Sequence, residues 1–99
     1  MARSLNHEVV IIGGGSAGIA TASSMLKRRP SLDIAIVEPS EDHYYQPGWT
    51  MVGGGAFDAP ATRRTTASVM PKQAKWLKQA AASFQPESNQ VTLVDGTTI

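Results

Sequence analysis

Six residues near the start of the chain, Gly13-Gly14-Gly15-Ser16-Ala17-Gly18, have the spacing G-x-G-x-x-G. At that spacing each fixed glycine has a mechanical job. Gly13 permits a tight turn off a strand. Gly15 carries no Cβ, so a pyrophosphate can approach the backbone. Gly18 lets a helix and a strand pack closely. A helix that starts here presents free N–H groups and a partial positive charge to phosphates. An acid, Glu38, lies 20 positions past Gly18, the offset of a carboxylate that accepts hydrogen bonds from ribose hydroxyls. The same charge repels a 2′-phosphate, which disfavours NADP. The expected chemistry is dinucleotide binding.

That chemistry needs a strand, a helix and a second strand, and the flanking residues supply them. Val9-Val10-Ile11-Ile12 is a short β-branched run that reads as a buried parallel strand. Ser16 to Arg29 reads as a helix with Ala22, Met25 and Leu26 on one face. Lys27, Arg28 and Arg29 fall in its last turn, where cations suit the dipole, and Pro30 stops it. Asp33 to Val37 is a second buried strand closed by Glu38-Pro39. Strand, helix and strand form a βαβ unit with a right-handed crossover. From Pro39 to Arg64 no regular period is visible, and the segment reads as one long loop, a feature usually functional or disordered. Thr65 to Met70 holds one helical turn before Pro71. Between Ala74 and Phe84 the residues Trp76, Ala80 and Phe84 have helical spacing, yet strands also fit. Val91 to Val94, Asp95-Gly96 and Thr97 to Ile99 read as a hairpin around a type I′ turn.

The totals bound the remaining classes. The chain has 99 residues, with 9 Lys+Arg against 8 Asp+Glu, so no basic face argues for nucleic acid. It has no cysteine, which removes disulfide, thiolate-metal and thiol-nucleophile chemistry from these residues. No grouping suggests a metal site, and no residue here stands out as catalytic. No secretory signal and no stretch of the ~20 apolar residues needed to span a bilayer is present. The doubly wound sheet needs more strands than these residues supply, so residues 1–99 are expected to be the N-terminal part of a longer protein.

Either FAD or NAD uses the glycine fingerprint. Two features favour FAD: the motif starts within a dozen residues of the N-terminus, and a long irregular segment follows the acid. The segment "VEPSEDHYYQPGWTMVGGG", Val37 to Gly55, decides the family resemblance. It resembles the sulfide:quinone oxidoreductases, in the branch that includes the mitochondrial enzyme. That branch carries Glu-Pro-Ser, a short spacer, His-aromatic-Tyr-Gln-Pro, then Trp-Thr and a glycine-rich segment. "TASVMP" and "KWL" further along are similar to the same family, and the resemblance runs from Val9 to about Gly96.

The resemblance implies an α/β fold, a partial Rossmann-like FAD-binding domain: βαβ unit, loop, short helix, strand and the start of a β-meander. It makes Ala74 to Lys78 a parallel strand and Ala80 to Ile99 the meander. It implies that Gly13, Gly15, Ser16, Ala17 and Gly18 hold the FAD pyrophosphate and that Glu38 binds the adenosine ribose. Gln46 matches a glutamine that contacts FAD, Pro47 is expected near the flavin end, and Ala81 matches a position on the adenine side. The implied activity is electron transfer from sulfide, through cysteines outside these residues, to FAD and then to quinone. The expected place is the cytoplasm, with peripheral contact at the inner face of a membrane through other parts of the protein.

Bland readings stand beside the sharp ones. A loop histidine such as His43 is more often structural than a proton relay. Tyr44 and Tyr45 either stack on a flavin, line a quinone pocket or simply anchor the loop. Trp49 reads as packing, Met25 and Met70 as core, Lys72, Lys75 and Lys78 as solvated charge, and Arg63 and Arg64 as an exposed pair, with phosphate contact as the sharper alternative. Two rival functions remain open on sequence. One is a type II NADH:quinone dehydrogenase or ferredoxin-reductase-like flavoenzyme. The other is a nucleotide-binding module without catalysis.

Overall fold

A computed structural model describes residues 3–99. Three parallel strands form the central sheet: β1 (Val9–Ile12), β2 (Ile34–Val37) and β5 (Lys75–Leu77), in the order β1-β2-β5. β1 and β2 are in register from Val9↔Ile34 to Ile12↔Val37. Helix α1 (Ser16–Arg28) makes the crossover between them. All four residues of β2 are buried, as a strand covered on both faces requires.

Period-two alternation divides the core. Ile34 and Ile36 of β2, with Val9 and Ile11 of β1, pack against Ile19, Ala22, Met25 and Leu26 of α1. Those four helical positions recur at the 3.6-residue period of one helix face. Met70 joins this cluster. Val37, Val10 and Leu77 point the other way and meet Leu93, Ile99, Val91 and Leu5. The second cluster is the underside of a second layer: β6 (Ala81–Gln85) and β7 (Gln90–Leu93) pair antiparallel, residues 97–99 run antiparallel beside β7, and residues 3–5 join Thr98 in parallel. Val91 and Ile99 exchange backbone hydrogen bonds, and Leu5 donates to Thr98. The order of layers is therefore helix, parallel sheet, meander. The α/β class and the meander expected from the resemblance are present, and strands replace the helical alternative between Ala74 and Phe84.

Two readings of the sequence are corrected. Residues 39–64 are not one irregular loop. They hold β3 (Asp42–Tyr44), α2 (Gly48–Gly53) and a 3₁₀ turn at Ala59–Thr62, and lead into β4 (Arg63–Thr65). β3 and β4 pair antiparallel, Asp42↔Thr65 to Tyr44↔Arg63, so the excursion is a folded flap. Three-residue strands carry no readable period, and only their long-range pairing defines them. Helix α3 (Thr66–Val69) follows, capped by the Thr65 side chain, which accepts from the Ser68 N–H. The buried Thr66 ties this turn back: its Oγ1 donates to Ser40 O at 2.9 Å and its N–H to Glu41 O at 2.7 Å.

The second correction concerns the Asp95-Gly96 turn. A type I′ turn needs positive φ at both central residues. Gly96 has φ +88°, but Asn89 is the only non-glycine with positive φ among the described residues. Gly96 N–H donates to Leu93 O and Leu93 N–H to Thr97 O, so the hairpin uses the three-residue form with Gly96 alone left-handed. The Asp95 carboxylate accepts the Thr97 N–H at 2.9 Å. That bond holds the Asp95 carboxyl below its ordinary value of 3.8. A carboxylate with a lowered pKa favours the folded turn at pH above 3.8, and the contribution is lost as pH falls through the lowered value. The Thr97 amide proton, followed by NMR, should accordingly titrate with a midpoint below 3.8. A midpoint at or above that value would count against the bond.

Candidate functional site

The site forms where β1 ends. Gly13 turns the chain with φ +104°, open to glycine alone at little cost, and its N–H donates to Val37 O at 2.9 Å. Gly15 is the N-cap of α1 and makes no side-chain cap bond. The first turn of α1 contains no acid, and its last turn holds Lys27 and Arg28. The N–H groups of that first turn are therefore left without capping side chains, at the positive end of the helix dipole. Arg29 is the C-cap, one residue short of the range read from the sequence.

Close packing fixes this terminus against the strand. A Cβ on Gly18 would stand 1.9 Å from Gly13 O and 3.3 Å from Ile11 Cγ2. Nothing stands within 4 Å of a Cβ built on Gly15, which faces open space. Gly14, left unassigned in the sequence reading, proves equally constrained. Its Cβ would lie 2.8 Å from both Cβ and Cγ of Glu38. The signal was available, because the variable position of the motif is itself a glycine here.

Glu38 sits at the end of β2, directly across from the glycine turn. Its Oε1 accepts the Gly14 N–H and its Oε2 the Ser40 N–H, each at 2.8 Å. Trp76 Nε1 donates to the Glu38 carbonyl at 2.9 Å. The carboxylate is thus oriented by backbone donors on both oxygens. Each oxygen has a second lone pair, so acceptor capacity for two further donors remains.

A cleft of about 360 Å³ opens beside the glycine turn. It is lined by Ile12, Gly13, Gly15, Ser16, Ala17, Gly18, Tyr44, Gln46 and Pro47. The structure therefore brings together seven of the nine cofactor candidates read from the sequence. Glu38 lies on the far side of Gly14, outside that lining, and Ala81 begins β6 just past the end of β5. Tyr44 is a lining residue that sequence had left undecided. It meets Trp49 edge to face, with centroids 5.9 Å apart and planes at 63°. Trp49 is itself half exposed, and its packing is against Tyr44 on the flap rather than in the core. Gly48, buried, lies where a Cβ would press on Thr62, Tyr45 and Phe57.

A second cleft, about 420 Å³, is lined by Glu41, Asp42, Arg63, Thr65, Ala67 and Trp76. Its charges are matched internally: Arg63 pairs with Asp42, and Lys78, which lies 6.0 Å from the Trp76 ring centre, pairs with Glu41. Hydrogen bonding to Asp42 raises the Arg63 guanidinium above its ordinary value. Arg63 and Lys78 are thus engaged rather than simply solvated. Among the described residues no cluster of metal-ligand type occurs, and no helix is long and apolar enough to cross a membrane.

No protein-family profile matches the chain. Individual proteins do. The chain is 45% identical over 93 residues to the mitochondrial sulfide:quinone oxidoreductase of Dictyostelium discoideum. It is 40% identical over 94 residues to the mitochondrial sulfide:quinone oxidoreductase of Mus musculus. These alignments cover 93% and 95% of this chain and 21% of each relative. The resemblance to the sulfide:quinone oxidoreductase family holds over nearly the whole chain. Among solved structures, the sulfide:quinone oxidoreductase of the hyperthermophilic bacterium Aquifex aeolicus superposes with a TM-score of 0.79 at 28% identity. It covers 99% of this chain and 22% of that one. The chain spans about one fifth of the length of the sulfide:quinone oxidoreductases it matches.

The two glycines of the turn should respond in opposite ways. Gly18→Ala forces its methyl onto a backbone carbonyl and should cost stability by about 1–3 kcal/mol or more, the range for overpacking. Gly15→Ala meets open space and should cost less than about 1 kcal/mol, the scale of a changed N-cap. Urea unfolding of the two variants checks this, and equal losses would contradict the packing described.

Proposed function

We propose that residues 1–99 form the N-terminal part of an FAD-binding domain in a sulfide:quinone oxidoreductase. The observation that carries the reading is the uncapped, acid-free N-terminus of α1, open on the cleft, with the Glu38 carboxylate fixed across Gly14. The residues fit a dinucleotide. Gly15 leaves room for a phosphate to approach the backbone, and Glu38 keeps lone pairs for ribose hydroxyls. The names of the similar proteins supply the substrates, sulfide and quinone.

On this reading Gly15, Ser16, Ala17 and Gly18 hold the pyrophosphate through backbone N–H groups, and Gly13, whose own N–H is taken by Val37 O, contributes the turn that brings them to it. Glu38 accepts from the adenosine ribose, and Ala81 lies on the adenine side. Gln46 and Pro47, on the facing wall of the cleft, meet the flavin half. Tyr44 shields that wall from water together with Trp49. FAD, when bound, supplies two-electron redox chemistry that no side chain of these residues can perform. The residues here bind, orient and exclude water. Any thiol in the reaction comes from elsewhere in the protein, because these 99 residues contain no cysteine. Contact with a membrane, where quinone resides, likewise falls to other parts of the protein.

The test is an anaerobic visible absorption spectrum of the full-length protein. A flavin band should bleach on addition of sulfide and return with quinone. A band bleached by NADH and indifferent to sulfide would replace the assignment with an NADH-dependent flavoenzyme. Glu38→Ala should weaken FAD binding by roughly 1.5–3 kcal/mol, as for a hydrogen bond to a charged group. Unchanged FAD affinity, read by fluorescence titration of the apoprotein, would rule out the ribose role.

A further inference from the structure

Gly14 is held on both sides of its Cα, through the peptide that precedes it and the peptide that follows it. Its N–H donates to Glu38 Oε1 at 2.8 Å, and its carbonyl faces His43 Nδ1 at 3.3 Å. A carbonyl oxygen only accepts, so Nδ1 carries the proton in this bond and Nε2 is left as the acceptor. The partner peptide matters more than the bond itself. The linkage from Gly14 to Gly15 is planar and trans, so the Gly14 carbonyl and the Gly15 N–H point in opposite directions. A donor that fixes the carbonyl therefore fixes where the Gly15 N–H is aimed. Gly14 is buried and Gly15 exposed, and Gly15 lines the cleft.

His43 also has a fixed seat of its own. It is the middle residue of β3, paired with Arg64 of β4. The next residue, Tyr44, lines the opposite wall of the cleft. One histidine thus joins the flap to the glycine turn and sets the separation between the two walls. From this geometry we infer that His43 is a positioning residue for anion binding. It orients the Gly14–Gly15 peptide so that its N–H meets a phosphate of the dinucleotide. The inference rests on the FAD reading above and deepens it. It assigns His43 no proton transfer.

Two polar replacements separate this role from simple packing. Asparagine places an N–H donor where Nδ1 stands, whereas glutamine places one further out, nearer Nε2. In the full-length apoprotein, titrated with FAD, His43→Gln and His43→Phe should weaken binding about three- to tenfold, the range for one neutral hydrogen bond. His43→Asn should restore most of the affinity. The ³¹P resonances of bound FAD should move in the first two variants and not in the third, with the melting temperature of each apoprotein near that of the native protein. Should His43→Phe fail to fold, the contrast between the Asn and Gln variants decides the matter alone. Native affinity and native ³¹P shifts in His43→Gln overturn the inference. So do equal losses in the Asn and Gln variants accompanied by a fall in melting temperature, which mark a structural role. If the native protein binds no FAD, the cofactor reading fails and this inference with it. If the native protein binds FAD and His43→Gln and His43→Phe bind it with native affinity, only this inference fails.

Discussion

The site depends on one close contact, that between the first turn of α1 and the carbonyl of Gly13. A methyl group on Gly18 would stand 1.9 Å from that oxygen, so only a bare Cα lets the helix begin so near the strand end. Seated there, the helix puts its uncapped N–H groups on the edge of the cleft. The same contact leaves the Gly14 peptide between β2 and the flap, where Glu38 and His43 reach its two polar atoms. Val37 O and the Glu38 carboxylate from the end of β2, and the His43 ring from the flap, all bond to Gly13 or Gly14. This explains why the tolerance for a side chain changes so abruptly along the motif, from none at Gly18 to open space at Gly15.

Legibility in the sequence followed the length scale of the forces involved. β1, α1 and β2 were readable because each announces itself locally: β-branched runs, a 3.6-residue apolar period, and a proline stop at Pro30. The flap was not readable, because β3 and β4 exist only through pairing between residues some 20 positions apart. Its remaining ties, Tyr45 N–H to Thr62 O and Thr66 N–H to Glu41 O, are equally long-range. The Asp95-Gly96 turn was misread for a different reason. The dipeptide favours a type I′ turn in general, but here the Asp95 carboxylate takes up the Thr97 amide, and Gly96 alone carries the left-handed conformation. Side-chain hydrogen bonds of this kind compete with the backbone preference that the pair of residues suggests.

Within the candidate site the same division holds. The glycine spacing and the offset of Glu38 were visible at once, since both are set along the chain. What the carboxylate touches was not. Spacing cannot show that the two oxygens of Glu38 are already oriented by Gly14 and Ser40, or that Trp76 reaches across from β5 to the Glu38 carbonyl. Tyr44, which the sequence left between stacking, pocket lining and anchoring, enters the lining by way of the flap, whose pairing no local pattern shows. The radius of gyration, 15.3 Å, exceeds the ~13 Å of a compact domain of this length. The strands divide among three small sheets, and the two hydrophobic clusters, one on each face of the parallel sheet, are correspondingly small.

If the FAD reading holds, these residues take only a limited share of the redox reaction. A helix terminus and a carboxylate bind phosphate and ribose whatever their redox state, so they contribute equally before and after electron transfer. Uniform binding of that kind retains a cofactor without accelerating its chemistry. Acceleration must come from groups that respond to the changing charge of the reacting ring. Under the FAD reading the flap side chain proposed for that task is Gln46, which lines the cleft beside Tyr44 and Pro47. The flap is joined to the phosphate-binding turn through His43 and to α3 through Thr66 and Ser40. A shift of Gln46 towards a reacting ring would therefore be resisted by the anchored turn. Such resistance is the condition for preorganised rather than adaptable polar contacts.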